Sequence, residues 1–250
     1  MTKIASHRGG TLEYGDSTPA GFIASAAMAL EEVEFDVHPT KDNHIIVHHD
    51  ATLDRTTDTH GEIVRRTLEE IKAARINYTP AAAPLTLEEL CAIYRPSHVN
   101  FRCEIKAGAS GHPYENFVPK VLETLQKNVM LERTVFSSFN YQTLRVLTSL
   151  TDRPVLWLVS PMVLRQIGLE DVIALAKAIN VPELALSAAI ATLQDAEKIR
   201  SAGLDFGVWG AHDRETLMHA FRMQAKVLTT DRPSLAIACR TEWQSQGGAQ

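Results

Sequence analysis

Short apolar runs alternate with longer amphipathic ones from one end of the chain to the other. The short runs predict strands over Lys3–Ser6, Val33–Asp36, Val99–Ile105, Thr134–Ser137, Val155–Val159, Leu184–Leu186, Phe206–Val208 and Val227–Leu228. The spacing within the longer ones predicts helices over Pro19–Leu30, Glu115–Lys127, Tyr141–Leu150, Leu164–Ile179, Leu193–Ala202 and Arg214–Arg222, with a turn after Pro233. Thr192 and Asp213 fit as N-caps, and Gly203 fits the position just past a helix end. Strands that alternate with helices of this length imply βαβ units and a parallel sheet. Eight of them imply an α/β fold closed into a (β/α)8 TIM barrel, for which about 250 residues is a typical length.

One region breaks the rhythm. From Val37 to His98 there is a further strand pattern at Ile45–His49, with helical patterns at Leu68–Ala74 and Leu85–Tyr94 and a linker holding Pro80 and Pro84. That is too much for one βα connection, so an insertion over one end of the barrel is expected at about residues 37–98 of a single domain spanning 1–250. Long insertions in compact domains are usually functional. The polar stretch Gln244–Gln250 reads as a frayed tail.

Composition narrows the class. Hydrophobic residues make up 45% and charged residues 22% of 250, ordinary for a globular domain with a sizeable core. A net charge of -5, with no Lys/Arg-rich run, gives no reason to expect a nucleic-acid partner. Cys91, Cys103 and Cys239 are unclustered and lack metal-binding spacing, which argues against a disulfide framework. The N-terminus runs straight into a strand pattern without the features of a signal peptide, and no apolar stretch is long enough to cross a bilayer. A reduced, soluble, cytoplasmic protein is expected.

The polar residues that end the first three barrel strands carry the chemistry. His7 and Arg8 follow the first strand, Glu34 and Asp36 end the second, and Glu104 and Lys106 end the third; His49-Asp50 sits in the irregular region. Period-2 alternation puts Glu34 and Asp36 on one face, and likewise Arg102, Glu104 and Lys106, while Phe35 and Ile105 point towards the helices. In such a barrel the C-terminal strand ends form the active mouth, so three carboxylates would converge there. Like charges gathered in one place repel unless a cation lies between them, and oxygen-only ligands suit one Mg²⁺ or Ca²⁺. Histidines can move protons, and Arg and Lys can hold a phosphate. Taken singly, strand-end carboxylates are mostly solvated or capping groups. His38, His44, His48, His60, His98, His112, His212 and His219 are read as surface or structural. Glu32 has no evident role.

Over nearly its whole length the chain resembles the glycerophosphodiester phosphodiesterases. The shared motifs are His7-Arg8-Gly9, Glu34-Phe35-Asp36-Val37, His49-Asp50, Leu53-Asp54-Arg55-Thr56-Thr57, Pro84-Leu85-Thr86-Leu87-Glu88, Glu104-Ile105-Lys106, Ser138-Phe139, Trp209 and Thr230-Asp231-Arg232-Pro233. The resemblance implies His7 and His49 as the general acid/base pair, and Glu34, Asp36 and Glu104 as ligands of a divalent cation. It implies Arg8 and Lys106 as phosphate contacts, with Phe139 and Trp209 lining the mouth near the substrate. Asp50 would orient His49. The implied reaction is hydrolysis of a glycerophosphodiester to glycerol 3-phosphate and an alcohol, through a cyclic phosphate formed by the substrate's own hydroxyl. Members acting on lysophospholipids or on sugar-phosphate opines of the agrocinopine kind offer a second reading. A non-catalytic binding protein is a third, opposed by the retention of all seven polar site residues. Three departures ring the mouth. Gly15-Asp16-Ser17-Thr18 replaces Pro-Glu-Asn-Thr, which puts a contribution of Asp16 to the metal in question; Gly210 stands where Thr is usual; His212-Asp213 replaces Asn-Asp.

Overall fold

The computed structural model describes residues 1–79 and 81–248. Pro80 of the expected linker, and Ala249 and Gln250 of the expected tail, lie outside them. The strands in chain order are β1 (Lys3–His7), β2 (Glu32–Pro39), β3 (Ile45–Val47), β4 (Asn100–Ile105), β5 (Thr134–Ser138), β6 (Val155–Val159), β7 (Glu183–Ser187), β8 (Asp205–Trp209) and β9 (Val227–Thr230). All but β3 are parallel and close on themselves, with β9 pairing back onto β1. This is the (β/α)8 barrel expected from the pattern. The helices are α1 (Thr11–Tyr14), α2 (Pro19–Ala26), α3 (Leu68–Ala73), α4 (Leu87–Tyr94), α5 (Phe117–Lys127), α6 (Tyr141–Leu150), α7 (Pro161–Ala178), α8 (Leu193–Ser201), α9 (Arg214–Arg222) and α10 (Pro233–Ser245). Thr192 and Asp213 do cap α8 and α9, each accepting the backbone N–H three residues on. Gly203 follows α8 with φ +82°, the left-handed residue that commonly ends a helix. None of the described helices is long and apolar enough to cross a membrane. The three cysteines are free and buried.

Helix α1 was not expected, α2 ends at Ala26 and not at Leu30, and two later helices also depart from the expected pattern. After Pro233 there is not a turn but the whole of α10. Proline suits the first helical position, and Trp243 stacks on Phe221 of α9 with centroids 6.4 Å apart. Tertiary packing thus carries the helix through Gln244 and Ser245, which were expected to fray. Helix α7 starts earlier than its pattern, at Pro161, and Gly168 (φ 79°, ψ 164°) interrupts it.

Between β2 and α4 the chain makes its excursion, with β3 antiparallel to β2 and α3 following. Ile46, Leu53, Ile63 and Ile71 bury a separate small apolar cluster beneath it. His48 and His49, expected at the end of its strand, lie beyond β3 in a bend. Helix α4 takes its place in the outer layer, beside α2 and α5.

Inside the barrel the two halves differ. On the β5–β8 side Leu156, Leu158 and Ala185 are packed with Val135 and Trp209. On the β2–β4 side the interior is ionic. The Glu32 carboxylate, without a role on sequence alone, accepts from Arg102 Nε at 2.7 Å, and Arg102 Nη1 reaches Glu183 at 3.2 Å. Lys226 Nζ lies 2.9 Å from the other Glu183 oxygen. Arg102 therefore belongs to a layer beneath the mouth, although it shares a face with Glu104. Burial would raise the Glu183 carboxyl, but Arg102 and Lys226 outweigh it and hold it below its ordinary range. Arg102→Leu would leave the buried Glu32 carboxylate with Lys3 at 3.8 Å and take from Glu183 one of its two cations. It is expected to cost about 3–5 kcal/mol of stability, read from the denaturant midpoint; a midpoint within error of the parent would refute this.

Candidate active site

The first turn after β1 aims two side chains at once. Arg8 has φ +50° and Gly9 φ +79°, and a Cβ on Gly9 would sit 2.9 Å from the backbone of Gly21 and Phe22. Only glycine fits so close to α2, and the turn leaves both His7 and Arg8 facing the barrel mouth. Register does the rest. Asp36 pairs with Glu104 across β2 and β4, and His7 with Glu34 across β1 and β2, so alternation and pairing together gather the three carboxylates.

Glu34, Asp36 and Glu104 are buried and each offers an oxygen within 4.8 Å of the others. Lys106 Nζ lies 3.1 Å from Asp36 and 2.8 Å from Glu104, and Arg8 Nε lies 3.2 Å from Asp36. These are ion-pair distances, yet Glu34 Oε2, both Asp36 oxygens and Arg8 Nε find no hydrogen-bond partner among the described residues. The cations stand close but off the hydrogen-bonding directions, so they neutralise Asp36 without satisfying its lone pairs. Buried acceptors of this kind, all oxygen, fit a hard divalent cation.

The charges reflect how crowded the cluster is. Burial, then Asp36 and Glu104, push the Glu34 carboxyl well above its ordinary range. Burial likewise raises Glu104 to about 7, with Asp36 adding to it and Lys106 opposing. Burial would raise Asp36 too, but Lys106, His49, Arg8 and His7 together hold it low. Lys106 is raised because Asp36 and Glu104 outweigh its desolvation.

Each of the two expected histidines is tied through Nδ1 to an aspartate. His49 bonds Asp50 Oδ1 at 2.5 Å, and His7 bonds Asp231. That fixes both rings with Nε2 free, and His7 Nε2 lies 3.6 Å from Glu34. Asp50 is held in turn by Arg55, at 2.7 Å from Nε. Arg55 Nη2 also reaches Asp16 at 2.8 Å, and Arg8 Nη1 binds the same oxygen at 2.9 Å. Asp16 thus bridges two guanidinium groups, linking the supports of Arg8 and His49. His38 and His48 do prove structural. His38 Nε2 contacts the His49 carbonyl at 3.1 Å and His48 Nδ1 that of Asp50 at 2.9 Å, bracing the loop that carries His49. Burial lowers His38 to about 4.

Two residues of this mouth were noted on sequence alone, in a shared motif or as a departure, but were given no role there. Asp231 lies 224 residues from the histidine it holds; its position at the end of the last strand was the available signal. His212, counted among the surface or structural histidines and also among the departures expected to ring the mouth, does line it beside His7, with ring centroids 6.2 Å apart. It stands there because β8 neighbours β9, whose end carries Asp231.

The cavity these groups enclose holds about 180 Å³. Phe139 and Trp209 form its apolar wall as an edge-to-face pair 5.5 Å apart, with Leu158 below. A larger groove of about 550 Å³ opens behind Lys106 between α5 and α6. It contains none of the three carboxylates, so the smaller cavity is the site.

A model of the glycerophosphoryl diester phosphodiesterase family matches residues 7–235. The chain belongs to that family. A glycerophosphodiester phosphodiesterase of Caldanaerobacter subterraneus subsp. tengcongensis is 33% identical over 149 residues, 58% of this chain and 60% of that protein. The chain thus matches about 60% of the length of that curated relative. A solved structure from Agrobacterium tumefaciens, described as a proposed glycerophosphoryl diester phosphodiesterase, is 56% identical with a TM-score of 0.97, covering 98% of this chain and 99% of that one. A phosphodiesterase of Oleispira antarctica, solved with the product sn-glycerol-3-phosphate, shares the fold at 20% identity and a TM-score of 0.84, covering 96% and 97%.

Proposed function

We propose that the chain hydrolyses glycerophosphodiesters to glycerol 3-phosphate and an alcohol, with His7 and His49 as proton carriers and Glu34, Asp36 and Glu104 as ligands of a divalent cation. The observation that carries this reading is the convergence at the barrel mouth of three buried carboxylates, two cations and two aspartate-held histidines, of which Glu34, Glu104, Arg8, His7 and His49 line the cavity. The product found with the Oleispira antarctica phosphodiesterase supports the same substrate class.

When bound, the cation would neutralise the phosphodiester and the charge that grows on it. Arg8 and Lys106 flank the carboxylates and contact the phosphate oxygens. Burial, with Lys106 and Arg8 nearby, keeps His49 below the ordinary histidine range despite Asp36 and Asp50. That direction favours the neutral ring, which is suited to accept a proton. His49 takes the proton of the substrate's neighbouring hydroxyl, whose oxygen attacks phosphorus. The bond to the leaving alcohol breaks and His7 supplies its proton, giving a cyclic phosphate. Water opens the ring with the two roles reversed. A hydroxyl already held beside phosphorus gains roughly 7–11 kcal/mol over a free nucleophile. No Ser or Cys of the matched catalytic motifs stands in a nucleophile's role.

A diester of 2-deoxyglycerol phosphate is accordingly expected to bind but turn over at least about 10²-fold more slowly than its parent, while a cyclic 1,2-phosphate is opened. Equal turnover of deoxy and parent diesters, followed by release of the alcohol, would make water the direct nucleophile.

A further inference from the structure

His212 follows β8 and lines the cavity beside Trp209 and Gly210, with 36% of its side chain exposed. Its Nδ1 accepts the backbone N–H of Asp231 at 3.0 Å. A ring nitrogen that accepts carries no proton, so in the neutral ring the proton is on Nε2. Nδ1 also lies 3.4 Å from Asp231 Oδ2, but a proton placed there would collide with the Asp231 N–H. Burial, with His7 and Arg8 nearby, holds the ring below the ordinary histidine range against Asp231 and Asp213. Among the described residues Nε2 has no hydrogen-bond partner. A Cβ on Gly210 would come within 3.8 Å of it, so the absent side chain keeps the space beside this donor open.

We propose that His212 is a specificity-determining residue: its Nε2–H donates to an oxygen of the leaving alcohol and selects alcohols that carry a hydroxyl near the ester. The inference rests on the hydrolase reading above. His7 protonates the leaving alcohol there, and His212 shares Asp231 with His7, so the departing group lies against both rings. Glycerol offers this donor an acceptor. Choline offers a trimethylammonium, which accepts no hydrogen bond. Gly210 and His212 act together here, one leaving the space open and the other placing a donor in it.

The test compares kcat/KM for glycerophosphoglycerol and glycerophosphocholine in the parent, His212→Asn and His212→Gln, all with saturating Mg²⁺. Asparagine can still accept the Asp231 N–H but is too short to reach the cavity. Glutamine carries an N–H about as far out as Nε2. The parent is expected to favour glycerophosphoglycerol by about tenfold or more, the scale set by one hydrogen bond left unmade. His212→Asn should lose most of that preference, through the glycerol diester alone, while His212→Gln keeps part of it. An unchanged ratio in His212→Asn would overturn the proposal. So would an equal loss on both diesters, which would make His212 a support for Asp231. A parent inactive on both diesters would overturn the hydrolase reading, and this inference with it; an active parent with an unmoved ratio overturns this inference alone.

Discussion

Replacing His7 or His49 by alanine is expected to lower kcat by at least about 10²-fold, with the melting temperature little changed. Positioned proton transfer is typically worth roughly 10²–10⁴-fold. Both rings have an aspartate on Nδ1, which commits them to a single tautomer with Nε2 towards the cavity. Neither is packed as a core residue: their side chains are 23% and 31% exposed, so truncation leaves no large void. Product release under saturating substrate, alongside a thermal melt of each variant, separates chemistry from folding. A variant that keeps near-parental kcat would remove that histidine from the slow step.

Chelation is expected to abolish turnover, and Mg²⁺, Ca²⁺ or Mn²⁺ to restore it, with a pH dependence set by the carboxylates. In the metal-free protein Glu104 titrates at about 7 instead of 4.5, and Glu34 is also raised. Both must lose their protons to bind a cation. Apparent affinity should therefore fall as pH drops below about 7, by up to about tenfold per unit for each proton displaced. Stability gives the complementary sign. A folded-state pKa above the unfolded value means that the folded chain binds more protons between 4.5 and about 7. Metal-free stability from Glu104 thus declines as pH rises through that window. The gain in melting temperature on adding Mg²⁺ should be larger at pH 8 than at pH 5.5. Calorimetry in buffers of different ionisation enthalpy would count the protons released. Full turnover after exhaustive EDTA treatment would sink the metal reading.

Much of this was legible from the chain alone, for a local reason. Strand alternation has period 2 whatever the rest of the fold does, so Glu34, Asp36, Glu104 and Lys106 had to share inward faces once their strands were recognised. The same local logic found the caps at Thr192 and Asp213. Helix α10 was less legible, because its apolar contact is with α9; in the excursion after β2 the strand and two helices were legible, but not the separate apolar cluster that Ile46, Leu53, Ile63 and Ile71 form.

What the sequence determined by itself was the barrel, its strand order along the chain and the residue types at each strand end. Only the closed structure decided which of them meet. His7 and Asp231 are 224 residues apart and come together because β9 pairs with β1, a register that no local pattern encodes. The Arg8–Asp16–Arg55–Asp50–His49 chain of contacts likewise joins three separate segments. Glu32 and Arg102 share the inward faces of Glu34 and Glu104, yet beneath the mouth they pair with each other, and Arg102 also reaches Glu183 of β7. Alternation tells which way a side chain points. Depth along the barrel axis, and the partner waiting there, depend on how all eight strands are staggered when the sheet closes.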